Sequence, residues 1–114
     1  MTKKFTVAYS EEAIKFIETL PNKAKEKVKT NILKATEFND RELFKKLDDD
    51  IWEFRTLSQN LHIRLFAFWD KTNKTDTLVI ATHGIIKKKS KVDKREIDKA
   101  KKIRSQYFNS NESS

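Results

Sequence analysis

The sequence of 114 residues contains no cysteine, which excludes a disulfide framework, a thiol nucleophile and a cysteine-based zinc site. No apolar run approaches the roughly 20 residues that a membrane-spanning helix needs. The first residues lack the apolar core of a signal peptide. We therefore expect a cytoplasmic protein that has no membrane partner, and any catalysis must use groups other than thiols.

What the sequence has in excess is positive charge. It carries 25 Lys and Arg residues against 17 Asp and Glu residues, a formal net charge of +8. Such a charge attracts phosphate backbones or anionic membranes. Hydrophobic residues make up 37% of the chain, enough for one core but not two. We expect one domain over residues 1–108, and a disordered tail over 109–114, where no apolar residue anchors the chain.

The first third of the chain predicts a strand and a helical hairpin. Phe5, Val7 and Tyr9 alternate with smaller residues, as in a half-buried strand. Ser10 precedes two glutamates and suits the N-cap of a first helix, and Pro21 separates that helix from a second one.

The rest of the chain predicts a sheet and a last helix. Residues 43–47 predict a further helical turn or a packed loop. Segments 51–57, 61–69 and 77–84 are rich in β-branched and aromatic residues, which indicates a three-stranded antiparallel meander. Asp93, with Glu96 three residues later, is typical of a helix start. The fold class is therefore α+β.

Strand periodicity brings three basic side chains together. Residues two apart on a strand share a face, so Arg55 should meet His62 and Arg64 on the side away from the main hydrophobic residues. The alternative is that Arg55 pairs with Glu53 in a surface ion pair worth about 0–1 kcal/mol. Phe66 and Phe68 follow on the face of Arg64, where they would either stack on bases or, as we expect, pack beneath the last helix.

A run of lysines connects the last strand to the last helix. Its position next to a helix N-terminus favours phosphate binding, and the alternative is a solvated basic loop. The candidate RNA-binding residues in this run are Lys87, Lys88, Lys89 and Lys91.

Two histidines are the groups with an ordinary pKa of about 6.5, suited to proton transfer at neutral pH. His62 lies near Arg64 and is the candidate acid or base, whereas His83 at a strand end is expected to be structural. Their separation does not match metal-ligand spacing, and Asp48 to Asp50 predict a solvated turn. We expect no metal and no cofactor.

Three ordered motifs resemble a known family: IWEFR (51–55), HIRLFAF (62–68) and HGIIKKKSKVDKREIDKA (83–100), closed by Arg104 and Tyr107. They are similar to the RelE/ParE toxin superfamily, nearest its HigB-like, phage-derived branch. The resemblance implies a RelE-like fold and a type II toxin that forms a hetero-oligomer with its cognate antitoxin. It also implies cleavage of messenger RNA in the ribosomal A site.

The resemblance carries over to individual positions. Arg55 and Arg64 match basic positions on two strands of the meander, and Lys87 and Lys88 match the basic pair after the sheet. Two aromatic positions of the family fall in the last helix, and this sequence keeps an aromatic residue at one of them. Ile97 is nearest the position where RelE has an RNA-stacking tyrosine, and Tyr107 matches a terminal aromatic that should pack the helix on the sheet.

RNA supplies its own nucleophile, the 2′-hydroxyl, so the protein must manage charge and protons. Arg64 and then Arg55 are the candidates for stabilising the pentavalent phosphorus. His62 would transfer the proton, worth typically about 10²–10⁴-fold in rate, and a lysine of lowered pKa is the alternative. Two other functions stay open: a ParE-like DNA gyrase inhibitor and a non-catalytic RNA-binding or ribosome-binding module.

Overall fold

The protein folds into a mixed five-stranded sheet with helices on both sides. The computed structural model describes residues 5–38, 40–72 and 78–112. The strand order is β1-β5-β4-β3-β2; β1 runs parallel to β5, and the other neighbours are antiparallel. The elements are β1 (Thr6–Tyr9), α1 (Glu11–Glu18), α2 (Asn22–Phe38), β2 (Phe44–Lys46), β3 (Trp52–Ser58), β4 (Leu61–Asp70), β5 (Leu78–Lys87) and α3 (Lys94–Glu112). The predicted α+β class, hairpin, meander and last helix are confirmed.

The segment after α2 differs from its prediction. It forms the short edge strand β2, not a helical turn or loop. Phe44 is buried and stacks on Phe54 with ring centroids 4.3 Å apart, and the amide of Arg55 donates to the carbonyl of Leu43 at 2.8 Å. Burial of this ring against β3 therefore selects the extended conformation.

The ends of two elements also differ. β5 continues three residues beyond Gly84 to Lys87, and Thr77, where we expected it to begin, lies outside the described residues. The prediction of a disordered tail from residue 109 was wrong for residues 109–112, which continue α3. The aromatic rings of Tyr107 and Phe108 pack on Phe68 and anchor the helix just before this segment. Residues 113–114 lie outside the described part of the chain.

The helical hairpin covers one side of the sheet. Its core contains Ala24, Val28 and Ile32 of α2 against Phe54 and Leu65 of the sheet. The one glycine of the sequence allows close packing here, since a Cβ on Gly84 would lie 2.1 Å from the ring of Phe16.

α3 covers part of the other side. Phe66 and Phe68 are fully buried there and pack in one cluster with Ile80 and Ala100, which confirms that they are core residues. The hydroxyl of Tyr107 donates to Oδ2 of Asp70 at 2.5 Å, so Tyr107 does pack α3 on the sheet. Within the described residues, no helix is long and apolar enough to cross a membrane.

Helix caps join these layers. The Ser10 hydroxyl accepts from the amide of Ala13 at 3.0 Å and donates to the carbonyl of Thr82 at 2.6 Å, so the predicted cap also ties α1 to β5. Asp93 caps α3 by accepting from the amide of Arg95 at 2.9 Å. Glu96 does not complete the capping box, because its carboxylate contacts His83.

Candidate functional site

Four basic residues lie on one face of β3, β4 and β5. Arg55 lies opposite Arg64, and His62 lies opposite Lys87. Residues opposite each other in neighbouring strands project to the same side. We call this surface, formed by Arg55, His62, Arg64 and Lys87, the basic face. It lies on the α3 side of the sheet, beyond the part that packs over Phe66, and the structure thus brings together the side chains that strand periodicity had paired.

A buried carboxylate lies within the basic face. The Glu53 side chain is only 6% exposed. Its Oε1 lies 3.4 Å from Nε of Arg64, and its Oε2 lies 3.8 Å from Nε of Arg55. Glu53 thus contacts both arginines: the ion pair between Glu53 and Arg55 given as the alternative is present, but its carboxylate is buried and is shared with Arg64. Sequence alternation had placed Glu53 on this face but did not indicate its burial.

Arg64 is held from two sides. Its side chain is 4% exposed, and its Nη1 donates to the carbonyl of Ile63 at 3.1 Å. Nε of Arg64 and Oε1 of Glu53 are both buried, and within the described part of the chain neither has a hydrogen-bond partner. The guanidinium is therefore fixed in place by an ion pair while part of its donor capacity stays unused.

Arg64 nevertheless borders an open cleft of about 560 Å³. The cleft lies along the part of β3 that β2 does not pair, because the register of β2 ends at Phe54. It is lined by Lys27 and Asn31 of α2, by residues 42–43, and by Arg55, Thr56, Leu57, His62 and Arg64. The cleft is open to solvent, and its lining carries the cations of Lys27, Arg55 and Arg64 against one carboxylate, that of Glu42, a balance that suits an anionic, extended ligand.

Burial controls the acid–base properties of the central pair. It raises the pKa of Glu53, although attraction from Arg64 and Arg55, and more weakly from Lys87 and Lys45, acts to lower it. Burial also lowers the pKa of Arg64, opposed by Glu53 and assisted by Arg55. In both groups the cost of desolvation outweighs the attraction between Glu53 and Arg64, whose nearest charged atoms are 3.4 Å apart and form no hydrogen bond.

Lys87 is the cation at the β5 end of the face. Desolvation, followed by repulsion from Arg64, lowers its pKa against the attraction of Glu53, and Arg55 and Lys45 add to the repulsion. Its Nζ donates to the carbonyl of Ser90 at 3.3 Å, within the loop that leads to α3. Sequence analysis missed Lys45 because it lies on β2, which was predicted as a helical turn or loop.

The remaining predicted RNA-binding lysines are exposed. They lie in the segment between β5 and α3, beside the basic face and outside its central contacts. These residues are Lys88, Lys89 and Lys91.

His83 has a structural role, as predicted, although it lies inside β5 and not at its end. It is 2% exposed, and its ring stacks on Phe66 with centroids 4.9 Å apart. Nε2 lies 3.1 Å from Oε1 of Glu96, and Nδ1 lies 3.0 Å from Oγ1 of Thr82. Burial lowers the pKa of His83, which favours the neutral ring.

Two further positions singled out by the sequence lie outside the basic face. Ile97 is half-buried and packs in the cluster beneath α3, so its side chain belongs to the α3 core. Asp48 accepts through Oδ1 from the amides of Asp50 and Ile51 at 3.0 and 2.9 Å, which closes the predicted turn. In residues 5–38, 40–72 and 78–112, no group of three or more histidine or acidic side chains is placed to hold a metal ion.

The comparisons agree with the motifs. The model of the family described as phage derived protein Gp49-like (DUF891) matches residues 15–105. No curated protein matches the sequence.

Solved structures match the fold. The toxin RelE of E. coli in the free state, a double arginine-to-alanine mutant, aligns with a TM-score of 0.61 at 15% identity over 87% of this chain and 96% of that one. The intact RelBE toxin-antitoxin complex of E. coli gives 0.56 at 17% identity, over 75% and 99%. The toxin-antitoxin complex RelBE2 of Mycobacterium tuberculosis gives 0.50 at 14% identity, over 74% and 99%. These structural alignments show a shared fold, and at identities of 14–17% they show the fold alone.

Proposed function

Because this chain belongs to the Gp49-like family of phage-derived proteins and has the fold of RelE, we propose that it is the toxin of a type II toxin–antitoxin system. Its activity would be that of an endoribonuclease that cuts messenger RNA on the translating ribosome. The observation that supports this most is the basic face, where Arg55 and Arg64 lie opposite each other beside an open, cationic cleft.

The arginines supply charge stabilisation. The 2′-oxygen of the RNA attacks the adjacent phosphorus, the bond to the 5′-oxygen breaks, and a 2′,3′-cyclic phosphate and a 5′-hydroxyl result. The phosphorane gains negative charge on its way, and guanidinium groups donate to it in a bidentate manner. Half-exposed Arg55 contacts the phosphate directly, and Arg64 offers the donors that Glu53 and Ile63 leave free.

Two groups of the basic face are suited to the proton transfers. His62 is exposed at its edge and is our candidate for removing the proton of the 2′-hydroxyl or for protonating the 5′-oxygen. Lys87, directly opposite it, has a lowered pKa and is the alternative. Lys88, Lys89 and Lys91 would hold the backbone of the RNA or of the ribosome. The RNA provides the nucleophile, so the scheme uses no cofactor.

The proposed inhibitor is a cognate antitoxin, as in the two matched toxin–antitoxin complexes. The net charge of +8 favours an acidic antitoxin segment laid over the basic face in a hetero-oligomer. The toxin would act in the cytoplasm, where ribosomes and messenger RNA are found.

A translation reaction with one defined messenger RNA tests the proposal. We expect purified protein to stop translation and to produce breaks in the RNA, and Arg55→Gln to reduce cleavage about 10²-fold, the scale of one transition-state donor. Arg104→Gln is the matched control, because it removes the same charge from α3 without touching the basic face.

The same reaction separates the other functions. Stalled ribosomes with intact RNA would indicate a binding module, and trapped gyrase–DNA complexes in a parallel assay would indicate a gyrase inhibitor. Intact RNA together with unimpeded translation would refute the proposal.

A further inference from the structure

We propose that Glu53 is a positioning residue of the basic face: its carboxylate fixes the guanidinium groups of Arg55 and Arg64 for phosphate and limits how tightly the face holds an anion. The part that concerns cleavage rests on the proposed function. The part that concerns anion affinity does not, because it follows from charge and burial alone.

The first support is the geometry of the three charges. Glu53 and Arg55 are two residues apart on β3, and Arg64 lies opposite Arg55 on β4. One carboxylate therefore contacts two guanidinium groups with different oxygens, Oε1 toward Arg64 and Oε2 toward Arg55. The register of β3 and β4 places two arginines that repel opposite each other, and Glu53 supplies the counter-charge that both contact.

The second support is the unsatisfied polar capacity of the pair. A buried ion pair that serves stability alone has its remaining donors and acceptors hydrogen-bonded, since desolvation is otherwise uncompensated. Here Oε1 of Glu53 and Nε of Arg64 are both buried and face each other at 3.4 Å without forming a hydrogen bond, and neither has another hydrogen-bond partner among the described residues. Nε of Arg64 faces Glu53 and one N–H of Nη1 is given to Ile63, so the remaining N–H groups of the guanidinium are the donors left for a phosphate oxygen.

The third support is the number of cations around one anion. Glu53 interacts electrostatically with four cations: Arg55 on its own strand, Arg64 on β4, Lys87 on β5 and Lys45 on β2. Neutralising it leaves four cations with no counter-charge among them. A phosphate backbone should then bind more tightly, while the arginines lose the contact that orients them.

The predicted signature is therefore a split between affinity and rate. Glu53→Gln keeps the shape of the side chain and removes its charge. The binding probe is an oligoribonucleotide with 2′-O-methyl groups, which cannot be cut. We expect Glu53→Gln to bind it about fivefold more tightly and to make the salt dependence steeper by about 0.7 in log Kd per log salt, the contribution of one charge on a single strand. We expect cleavage at saturating ribosomes to slow about 10- to 100-fold, the cost of misplaced catalytic groups.

Glu26→Gln is the matched control. It removes the same charge from exposed α2, where Glu26 faces Lys29 at 3.9 Å, and should change neither affinity nor rate by more than twofold. Glu53→Asp keeps the charge on a shorter side chain and should retain wild-type affinity while cleaving slowly. ¹⁵N spectra of the arginine Nε–H groups provide a readout independent of RNA, and Glu53→Gln should shift and broaden the Arg64 signal.

The outcomes decide the inference separately from the proposed function. Tighter binding with slower cleavage supports it, and weaker binding, or cleavage as fast as wild type, overturns it. If the wild-type protein cuts no RNA, the nuclease proposal fails. The inference then depends on binding and spectra alone, where unchanged affinity or an unchanged Arg64 signal would overturn it.

Discussion

Arg55 and Arg64 lie directly opposite each other on β3 and β4, with the buried carboxylate of Glu53 in contact with both. Two like charges in this position repel, and the fold tolerates them because a shared counter-ion is built into the same face. Arg64 is thus both a candidate catalytic group and half of a buried ion pair, and these two roles need separate measurements.

A double-mutant cycle on the pair separates them. Arg64→Met leaves the buried carboxylate of Glu53 with half-exposed Arg55 as its remaining guanidinium contact, and we expect the free energy of unfolding to fall by about 3 kcal/mol, the low end for a broken buried pair. Adding Glu53→Gln removes this poorly compensated charge and should restore most of that loss, although the double variant stays inactive. Urea unfolding curves and cleavage assays of both variants test this prediction. Full activity in the stable double variant would show that Arg64 has no catalytic role.

The lysines between β5 and α3 should act on affinity and not on rate. Their simultaneous replacement by glutamine should lower the salt dependence of RNA binding by about 2 in log Kd per log salt and raise KM, with kcat unchanged. The residues to replace are Lys88, Lys89 and Lys91.

The control for these lysines removes three exposed positive charges from the helices, at Lys23, Lys34 and Lys102. A similar loss of affinity in both triple variants would mean that net charge, and not this segment, attracts the RNA.

The contact between His83 and Glu96 should make stability depend on pH. Burial lowers the pKa of His83, opposed chiefly by Glu96, with Lys99 and Glu12 also contributing. Below the ordinary value of 6.5 the unfolded chain takes up a proton that the folded ring does not. The free energy of unfolding should therefore fall as pH drops through this window, by at most about 1.4 kcal/mol per pH unit.

His83→Gln is the comparison for this window. It removes the titrating group and still offers a donor to Glu96, so its stability should change less between pH 5 and 6.5 than that of the wild type. Unfolding curves at several pH values give the free energy of unfolding of both proteins. Subtracting one from the other cancels the contributions of groups that they share, such as Glu53. Parallel pH profiles for the two proteins would contradict this role of His83.

Tyr107 should contribute to stability and not to cleavage. Burial alone would raise the pKa of Asp70, but hydrogen bonds from Tyr107 and Thr72 hold it below its ordinary value. Tyr107→Phe should lower the free energy of unfolding by about 1.5–3 kcal/mol at neutral pH, the range for a hydrogen bond to a charged group. The loss should shrink in acid, as Asp70 becomes protonated. A folded variant that no longer cuts RNA would instead place the Tyr107 hydroxyl in the chemistry.

Much of this molecule follows from local sequence patterns. Alternation along two strands predicted that Arg55, His62 and Arg64 share a face, and Ser10 and Asp93 marked the helix starts that the structure has. Alternation gives the side of a sheet but not the depth, which depends on how neighbouring strands and helices pack around it. The burial of Glu53 and Arg64 was therefore not predictable.

Other features depend on contacts between distant parts of the chain. β2 forms because Phe44 stacks on Phe54, and this pairing also adds Lys45 to the charges around Glu53. The last turn of α3 follows an aromatic cluster with Phe68, distant in sequence. Neither segment has a strong local signal, since one is three residues long and the other is polar.

The chemistry of the RNA ends made during translation tests the central claim most directly. With wild-type protein we predict breaks that keep the phase of the codons, with 2′,3′-cyclic phosphates on the upstream fragments and 5′-hydroxyls on the downstream ones. The breaks should be absent when ribosomes are omitted and absent with the Glu53→Gln/Arg64→Met variant. Breaks that ignore codon phase, that occur equally without ribosomes, or that persist in this variant would contradict a ribosome-dependent nuclease centred on Arg64.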